Sequence, residues 1–145
     1  MNRNCVKTVT IGTVGAGYAA YLHGNGYEKV CGVPVRLKTV CDVKLELAEK
    51  VKARYGYEQA AADFQVLLDD PEIDVVDIVL PPFLHTQFAI KAMNAGKDVI
   101  CEKPLTGYFG QPGSDELIGL TVPKRSMFQK VHADMEQLEE AVRSS

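Results

Sequence analysis

Three features of the sequence predict an α/β fold in which a parallel sheet is covered by helices on both faces. Apolar runs of strand length alternate with segments of helical periodicity. The first strand leads through a glycine-rich turn directly into a helix, and a later strand is cut by Pro81 and Pro82 before the next helix. In such doubly wound folds the crossovers are right-handed, ligands collect outside the carboxyl ends of the strands, and the expected strand order here is 3-2-1-4-5.

The individual elements follow from periodicity and from the residues that end them. Gly56 and Gly96 stand where two helices should stop, whereas Gly24 and Gly26 are expected to weaken the first helix. A third strand, before the third helix, is very short at most. The predicted elements are strands over 6–15, 35–42, 74–82 and 98–101, and helices over 17–27, 44–56, about 63–69, 84–96 and 125–145.

Length, charge and cysteine spacing limit the classes of function. The 145 residues suffice for one compact domain, and the net charge of −3 without long runs of one sign indicates neither a nucleic-acid partner nor a membrane partner. No stretch has the length of a membrane span, and the N-terminus lacks the apolar core of a signal peptide. The cysteines at 5, 31, 41 and 101 match no zinc or redox motif, which predicts reduced thiols, no metal site and a cytoplasmic protein.

The turn after the first strand has the pattern G-x-G-x-x-A, formed by Gly15, Gly17 and Ala20. The first glycine permits a tight turn, the second lets backbone approach a pyrophosphate, and the small third residue lets the helix pack closely on the strand. The amides of the first helical turn, around Tyr18 and Ala19, would face the anion. The pattern therefore predicts dinucleotide binding, against the simpler interpretation of a plain glycine turn.

Asp42 ends the second strand, where an acidic residue would hydrogen-bond the adenosine ribose. The simpler interpretation is a cap for the helix that follows, since aspartate is a favoured N-cap. A carboxylate repels a 2′-phosphate and favours NAD, whereas Lys44, two residues later, would attract one. The cofactor prediction is NAD or NADP, with NAD slightly favoured.

The stretch VDIVLPPFLHTQFAIKAMNAGKDVICEKPL, residues 76–105, adds a more specific pattern. Its prolines, the histidine at 85, A-G-K at 95–97 and C-E-K-P at 101–104 resemble the signature of the Gfo/Idh/MocA oxidoreductases. This is the family of glucose–fructose oxidoreductase and inositol dehydrogenase. With the glycine turn and Asp42, the resemblance covers roughly residues 7–105. It implies a Rossmann-type NAD(P)-binding domain.

The resemblance also implies roles for individual residues. Lys103 would be the catalytic residue, beside the nicotinamide and hydrogen-bonded to the substrate hydroxyl. Glu102 would contact the cofactor ribose or hold Lys103. Backbone at Leu80 and Pro81 would pass along the cofactor, and His85 would lie on the nicotinamide side. A lysine half desolvated beside a carboxylate is also a reasonable proton donor or relay on chemical grounds.

Each of these assignments has a simpler alternative. Glu102 and Lys103 form a solvated charged pair if the end of their strand faces water, and His85 is equally well explained as a helix-start or packing residue. His23 and His132 have no functional interpretation from the sequence. Phe83 stands where the family often has asparagine, which puts the local cofactor geometry in doubt.

The last 40 residues depart from the family pattern. Residues 106–124 are predicted to be an insertion loop, which is either a lid or subunit contact or a flexible bridge. The terminal helix, 125–145, should carry its apolar face at Phe128, Val131, Met135, Leu138 and Val142. The family's last strand and its second, substrate-binding domain are expected to be absent from the chain. The exposed helix, insertion or sheet edge would then favour a homo-oligomer over a monomer.

Together these observations predict the N-terminal domain of an NAD(P)-dependent oxidoreductase. The full-length enzyme would transfer hydride between nicotinamide and a secondary alcohol or carbonyl of a small molecule, a sugar or cyclitol, and the fragment alone would be inactive. The alternative is a non-catalytic NAD(P)-binding or regulatory module.

Overall fold

A computed structural model describes residues 7–111 and 113–145 of the chain. The predictions for Cys5, and for the start of the first strand at residue 6, fall outside this part. The elements are β1 Val9–Val14, α1 Tyr18–Tyr27, β2 Val35–Cys41, α2 Leu45–Tyr55, β3 Gln59–Ala61, α3 Gln65–Asp69, β4 Val75–Ile78, α4 Pro82–Asn94, β5 Asp98–Cys101, α5 Ile118–Thr121 and α6 Lys124–Ser144. No helix in these residues is long and apolar enough to cross a membrane.

The five strands form one parallel sheet in the order β3-β2-β1-β4-β5, which confirms the predicted order. Apolar side chains cover both faces of the sheet, as expected for buried parallel strands. On one face Ala20 of α1 and Ala48 and Val51 of α2 form a core with Val40. On the other face, a larger core includes Leu67, Ile73, Val76, Ile78, Ala89, Ala92 and Leu138, from α3, β4, α4, α6 and the turn before β4.

The first helix is not weakened by its glycines, contrary to the prediction. It continues through Gly24 and Gly26 to Tyr27. The reason is packing, because a Cβ on Gly24 would lie 2.7 Å from the ring of Tyr55. The Tyr55 hydroxyl donates a hydrogen bond of 2.9 Å to the carbonyl of Tyr21. Gly24 therefore permits close approach of α1 and α2, and tertiary contact outweighs its low helix propensity.

The boundary between β4 and α4 also differs from the prediction. The strand ends at Ile78, and the helix begins at Pro82 rather than at residue 84. Proline is accepted at the first helical position because the N–H that it lacks would have no partner there. Gly56 and Gly96 end their helices with positive φ, as predicted.

The terminal helix exists as predicted, but only part of its predicted apolar stripe is buried. Leu138 and Ala141 are buried, and α6 packs on α4. Phe128, Met135 and Val142 are instead 66%, 45% and 61% exposed. The prediction of one inward face was wrong because the side of α6 that packs on α4 is centred on Leu138 and Ala141, so it only partly coincides with the predicted stripe. The predicted loop before this helix contains the short helix α5.

Candidate functional site at the carboxyl ends of the strands

The register of the sheet brings the predicted site residues to one edge. Val14 pairs with both Cys41 and Ile78, and Ile78 in turn pairs with Cys101. The strands β1, β2, β4 and β5 therefore end at the same level. The residues that follow them, Gly15, Asp42, Leu80, Pro81, Glu102 and Lys103, line the edge where ligands bind in folds of this class.

The two positions of the first turn, Gly15 and Gly17, are occupied by glycine for different structural reasons. Gly15 has φ of 102°, and a Cβ there would lie 2.6 Å from the carbonyl oxygen of Val79, so the backbone itself requires glycine. Gly17 has an ordinary φ of −83°, and a Cβ there would meet nothing within 4 Å. The fold thus explains Gly15, whereas the open space over Gly17 is available to a ligand.

The helix after the turn presents its N-terminus at the same edge. Gly17 is the N-cap residue, makes no side-chain cap, and no acidic residue follows in the first turn. Ala20 is 1% exposed and packs in the core, as the small third residue of the motif should, whereas Tyr18 is 80% exposed. The first N–H groups of a helix lack intrahelical acceptors, so those around Tyr18 and Ala19 can bind an anion.

Asp42 holds the glycine turn against β2. Its Oδ2 accepts a hydrogen bond of 2.8 Å from the N–H of Ala16, and its Oδ1 accepts one of 2.9 Å from the N–H of Lys44. The N-cap of α2 is Lys44 rather than Asp42, so the simple capping interpretation is not what the structure shows. Each carboxylate oxygen keeps a further lone pair, which leaves Asp42 able to accept ribose hydroxyls.

His85 lies behind the edge rather than on it. It has no exposed surface. Its Nδ1 lies 2.8 Å from the carbonyl oxygen of Pro104, and its Nε2 lies 2.7 Å from that of Leu80. This geometry supports the packing interpretation of His85, in which the ring ties the segment after β4 to the turn after β5. Of the two residues predicted to pass along the cofactor, Pro81 is exposed and Leu80 is half-buried.

The Glu102–Lys103 pair separates into two environments. Lys103 is exposed, so the expectation of a half-desolvated lysine is wrong for this chain. The carboxylate of Glu102 turns toward α1, where Oε1 accepts from Nε2 of His23 at 3.0 Å, while Oε2 accepts from the backbone N–H of Lys103 at 3.1 Å. This contact is made to the backbone of Lys103 rather than to its ammonium group, and the two predicted roles for Glu102, contact with the ribose or support of Lys103, stay predictions.

Sequence reasoning missed the residues that lie behind Glu102. The other ring nitrogen of His23, Nδ1, is 3.0 Å from both carboxylate oxygens of Asp77, which is fully buried in β4. The hydroxyl of Tyr27 donates to Asp77 at 2.8 Å. One signal was available, since a carboxylate in the middle of an apolar strand needs a buried partner.

This cluster shifts the pKa values of its members. The hydrogen bond to Asp77, reinforced by Glu102, raises the pKa of His23 to about 9 against the opposing effect of burial. The hydrogen bond from His23 and the backbone N–H of Lys103 lower the pKa of Glu102. Burial, followed by the charge of Asp77, raises the pKa of Tyr27. At neutral pH the imidazolium of His23 therefore stands between two acidic side chains.

The sequence of this domain matches one family over most of its length. The model of the oxidoreductase family with an NAD-binding Rossmann fold, GFO_IDH_MocA, matches residues 9–111. The chain belongs to the Gfo/Idh/MocA oxidoreductase family. The predicted family, fold class and nicotinamide dinucleotide cofactor are thereby confirmed, whereas the preference for NAD over NADP stays a prediction.

Individual Gfo/Idh/MocA proteins show the same relationship. Levoglucosan dehydrogenase of Pseudarthrobacter phenanthrenivorans is 36% identical over 107 residues, 69% of this chain and 27% of that protein. The NAD(+)-dependent scyllo-inositol 2-dehydrogenase of Bacillus subtilis is 37% identical over 99 residues, 68% of this chain and 28% of that enzyme. A solved structure of levoglucosan dehydrogenase in complex with NADH superposes with a TM-score of 0.74 at 26% identity, covering 96% of this chain and 33% of that one. The chain therefore spans about a third or less of the length of these relatives.

Proposed function

We propose that this domain binds a nicotinamide dinucleotide across the carboxyl edge of its sheet, as part of a dehydrogenase acting on a sugar or cyclitol. The observation that carries the proposal is the open space over Gly17 at the uncapped N-terminus of α1. The pyrophosphate would lie there, with the helix dipole and free amides facing its charge. The hydroxyls of the adenosine ribose would donate hydrogen bonds to the carboxylate of Asp42, which favours NAD.

Lys103 is the candidate catalytic residue of the full-length enzyme. It follows β5 at the same edge, and its exposed side chain is free to reach a substrate hydroxyl. The nicotinamide, when bound, supplies the hydride acceptor or donor. The part of this chain is to bind the cofactor and to present the lysine to the substrate, which in this proposal is a secondary alcohol or carbonyl compound. His85 supports this edge from behind.

The relatives support the substrate class by their names alone. Those relatives include a levoglucosan dehydrogenase and a scyllo-inositol dehydrogenase, which act on a sugar derivative and a cyclitol. The second candidate function is a non-catalytic NAD(P)-binding module, which the exposure of Lys103, in place of a desolvated lysine, favours. Turnover by a protein that carries this chain separates the two candidates, because Lys103→Met should lower kcat far more than cofactor affinity only in an enzyme.

The first test of cofactor binding uses two glycines of the same helix region. A Cβ on Gly17 or on Gly26 meets nothing within 4 Å, so a side chain has room to begin at both positions, and the two variants Gly17→Val and Gly26→Val are matched. Gly17→Val should weaken NADH binding by at least about tenfold, equivalent to about 1.4 kcal/mol, because the side chain fills the place of the pyrophosphate. Gly26→Val should bind normally. Equal calorimetric affinities in the two variants would reject the site.

A second test concerns the choice between NAD and NADP. Asp42→Ala should lower the ratio of NADH affinity to NADPH affinity, because the carboxylate that accepts the ribose hydroxyls and repels a 2′-phosphate is gone. Asp70→Ala is the matched control, since Asp70 makes a similar bond of 2.9 Å to the N–H of Glu72 before β4, at the opposite edge of the sheet. If the ratio is unchanged in Asp42→Ala, Asp42 only organises the turn.

A further inference from the structure

One histidine connects the helix of the glycine turn with the turn that presents Lys103. His23 lies one and a half turns into α1, whose N-terminus faces the proposed pyrophosphate site. Through Nε2 it contacts Glu102 at 3.0 Å, and Glu102 in turn accepts the backbone N–H of Lys103. A continuous set of polar contacts thus runs from α1 to the backbone of the proposed catalytic residue.

Asp77 anchors this connection in the interior. Its carboxylate is fully buried and is held by Nδ1 of His23 and by the hydroxyl of Tyr27. A buried carboxylate strongly favours a partner that brings both a positive charge and a hydrogen bond. Because His23 is bound on both ring nitrogens, its ring cannot turn toward Asp77 alone without leaving Glu102. The ring orientation is therefore fixed from both sides.

The fixed ring also determines where Glu102 points. Ile100 pairs with Asp77 across the parallel ladder, so the two residues face the same side of the sheet. Glu102 lies two residues after Ile100 and faces α1 as well, whereas Lys103 comes next and is exposed. Without His23, the carboxylate of Glu102 would have no partner on α1 and would be free to pair with the ammonium group of Lys103.

We propose that His23 is a positioning residue, which holds Glu102 away from the side chain of Lys103 and couples α1 to the Glu102–Lys103 turn. The importance of this coupling for a cofactor rests on the proposed dinucleotide binding, but the coupling itself does not. It assigns to the Asp77–His23–Glu102 cluster the task of keeping the lysine unpaired on the cofactor side of the turn.

The coupling is tested first without any cofactor, by nuclear magnetic resonance of the intact chain. Deprotonation of His23 between pH 7 and 10 should shift the backbone amide of Lys103 with the midpoint of the His23 ring, about 9. The groups that face His23 are Asp77, Tyr27 and Glu102. Burial raises the pKa of Tyr27 and the hydrogen bond from His23 lowers that of Glu102, so neither group titrates in this window.

His23→Asn separates the two contacts of the ring. The amide nitrogen of asparagine can take the place of Nδ1, so the buried carboxylate of Asp77 keeps a donor. The asparagine side chain is too short to reach Glu102. The titration of the Lys103 amide near pH 9 should disappear in this variant. It should persist in His132→Asn, which removes an exposed histidine on α6. A wild-type Lys103 amide that does not follow the His23 titration overturns the proposal.

The second readout compares NADH with ADP-ribose, which lacks the nicotinamide. His23→Asn should weaken NADH binding by about threefold to tenfold and leave ADP-ribose affinity unchanged, because only the nicotinamide side depends on the turn after β5. An equal loss for both ligands would mean a general defect of α1 and would overturn the positioning role. If the wild-type chain binds neither ligand, the proposed function fails, while the Lys103 titration still decides the coupling.

Discussion

The stability of this domain should fall at alkaline pH because His23 loses its proton. The folded-state pKa of His23 is about 9, above its usual 6.5. A group whose pKa is raised by folding stabilises the folded state fully at pH values below its unfolded-state pKa. This stability is lost as the pH rises through its folded-state pKa. The window for the loss therefore lies between about pH 6.5 and pH 9, and stability changes little through this group above pH 10.

The size of the effect follows from the same two values. At 1.36 kcal/mol per pKa unit, the difference of about 2.5 between the folded and unfolded pKa values of His23 corresponds to about 3 kcal/mol of unfolding free energy. The side chain of His23 is 19% exposed, so solvent screening reduces this to about 2 kcal/mol. With a urea dependence of about 1.5 kcal/mol per M for a small domain, the expected change in midpoint is about 1 M.

The assay is urea unfolding of the wild type and His23→Asn at pH 6 and pH 10. Other titrating groups affect both proteins equally, so the informative quantity is the change in the difference between their midpoints. The wild type should be the more stable protein at pH 6, and its advantage should shrink by about 1 M at pH 10. His132→Asn should follow the wild type at both values. If the difference between wild type and His23→Asn is the same at pH 6 and pH 10, the electrostatic role of His23 is wrong.

Two further predictions concern packing and association. Buried Lys97 donates to the carbonyls of Asp70 at 2.6 Å and Ile73 at 3.0 Å. Lys97→Met should therefore lower the free energy of unfolding, measured in urea, by about 1–3 kcal/mol. Lys50→Met, at an exposed lysine, should change it little. The exposed residues Phe128, Met135 and Val142 lie at heptad spacing on a helix that is basic at its start and acidic later, so two copies can pair antiparallel with opposite charges adjacent. Sedimentation should therefore show a dimer that Phe128→Glu abolishes and Gln137→Glu, away from this stripe, does not; a monomer at high concentration would contradict it.

Local patterns were enough to predict the strand order and the position of the site. The apolar runs and the glycine stops determine where each element lies, and parallel pairing then brings Gly15, Asp42 and Glu102 to one edge. Packing between distant residues could not be seen. The contact of Gly24 with Tyr55 keeps α1 intact, and the contact of α6 with α4 decides which apolar residues of the last helix are buried.

The histidine of the proposed positioning role was missed for the same kind of reason. His23, Asp77 and Glu102 are far apart in sequence. Only the packing of α1 on β4 and β5 brings the ring nitrogens of His23 to 3.0 Å from each carboxylate. His85, in contrast, attracted attention because it lies inside a recognisable motif, yet it is fully buried against two backbone carbonyls. A motif therefore indicates where conserved geometry is expected, but not whether a side chain faces the ligand or the core.

The alternation of side chains along a strand explains why two opposite charges follow the buried strand β5. Asp77 in β4 faces α1, and the register of β4 with β5 places Ile100, and then Glu102, on that same face. Lys103 must then face away from α1. The acidic residue serves the interior by binding His23, and the basic residue remains exposed at the carboxyl edge of the sheet. Exchange of the two residues would place an ammonium group against the imidazolium of His23 and a carboxylate at the edge. Neither the cluster nor the proposed role in hydride transfer tolerates that arrangement, so the order glutamate before lysine follows from the register of β5.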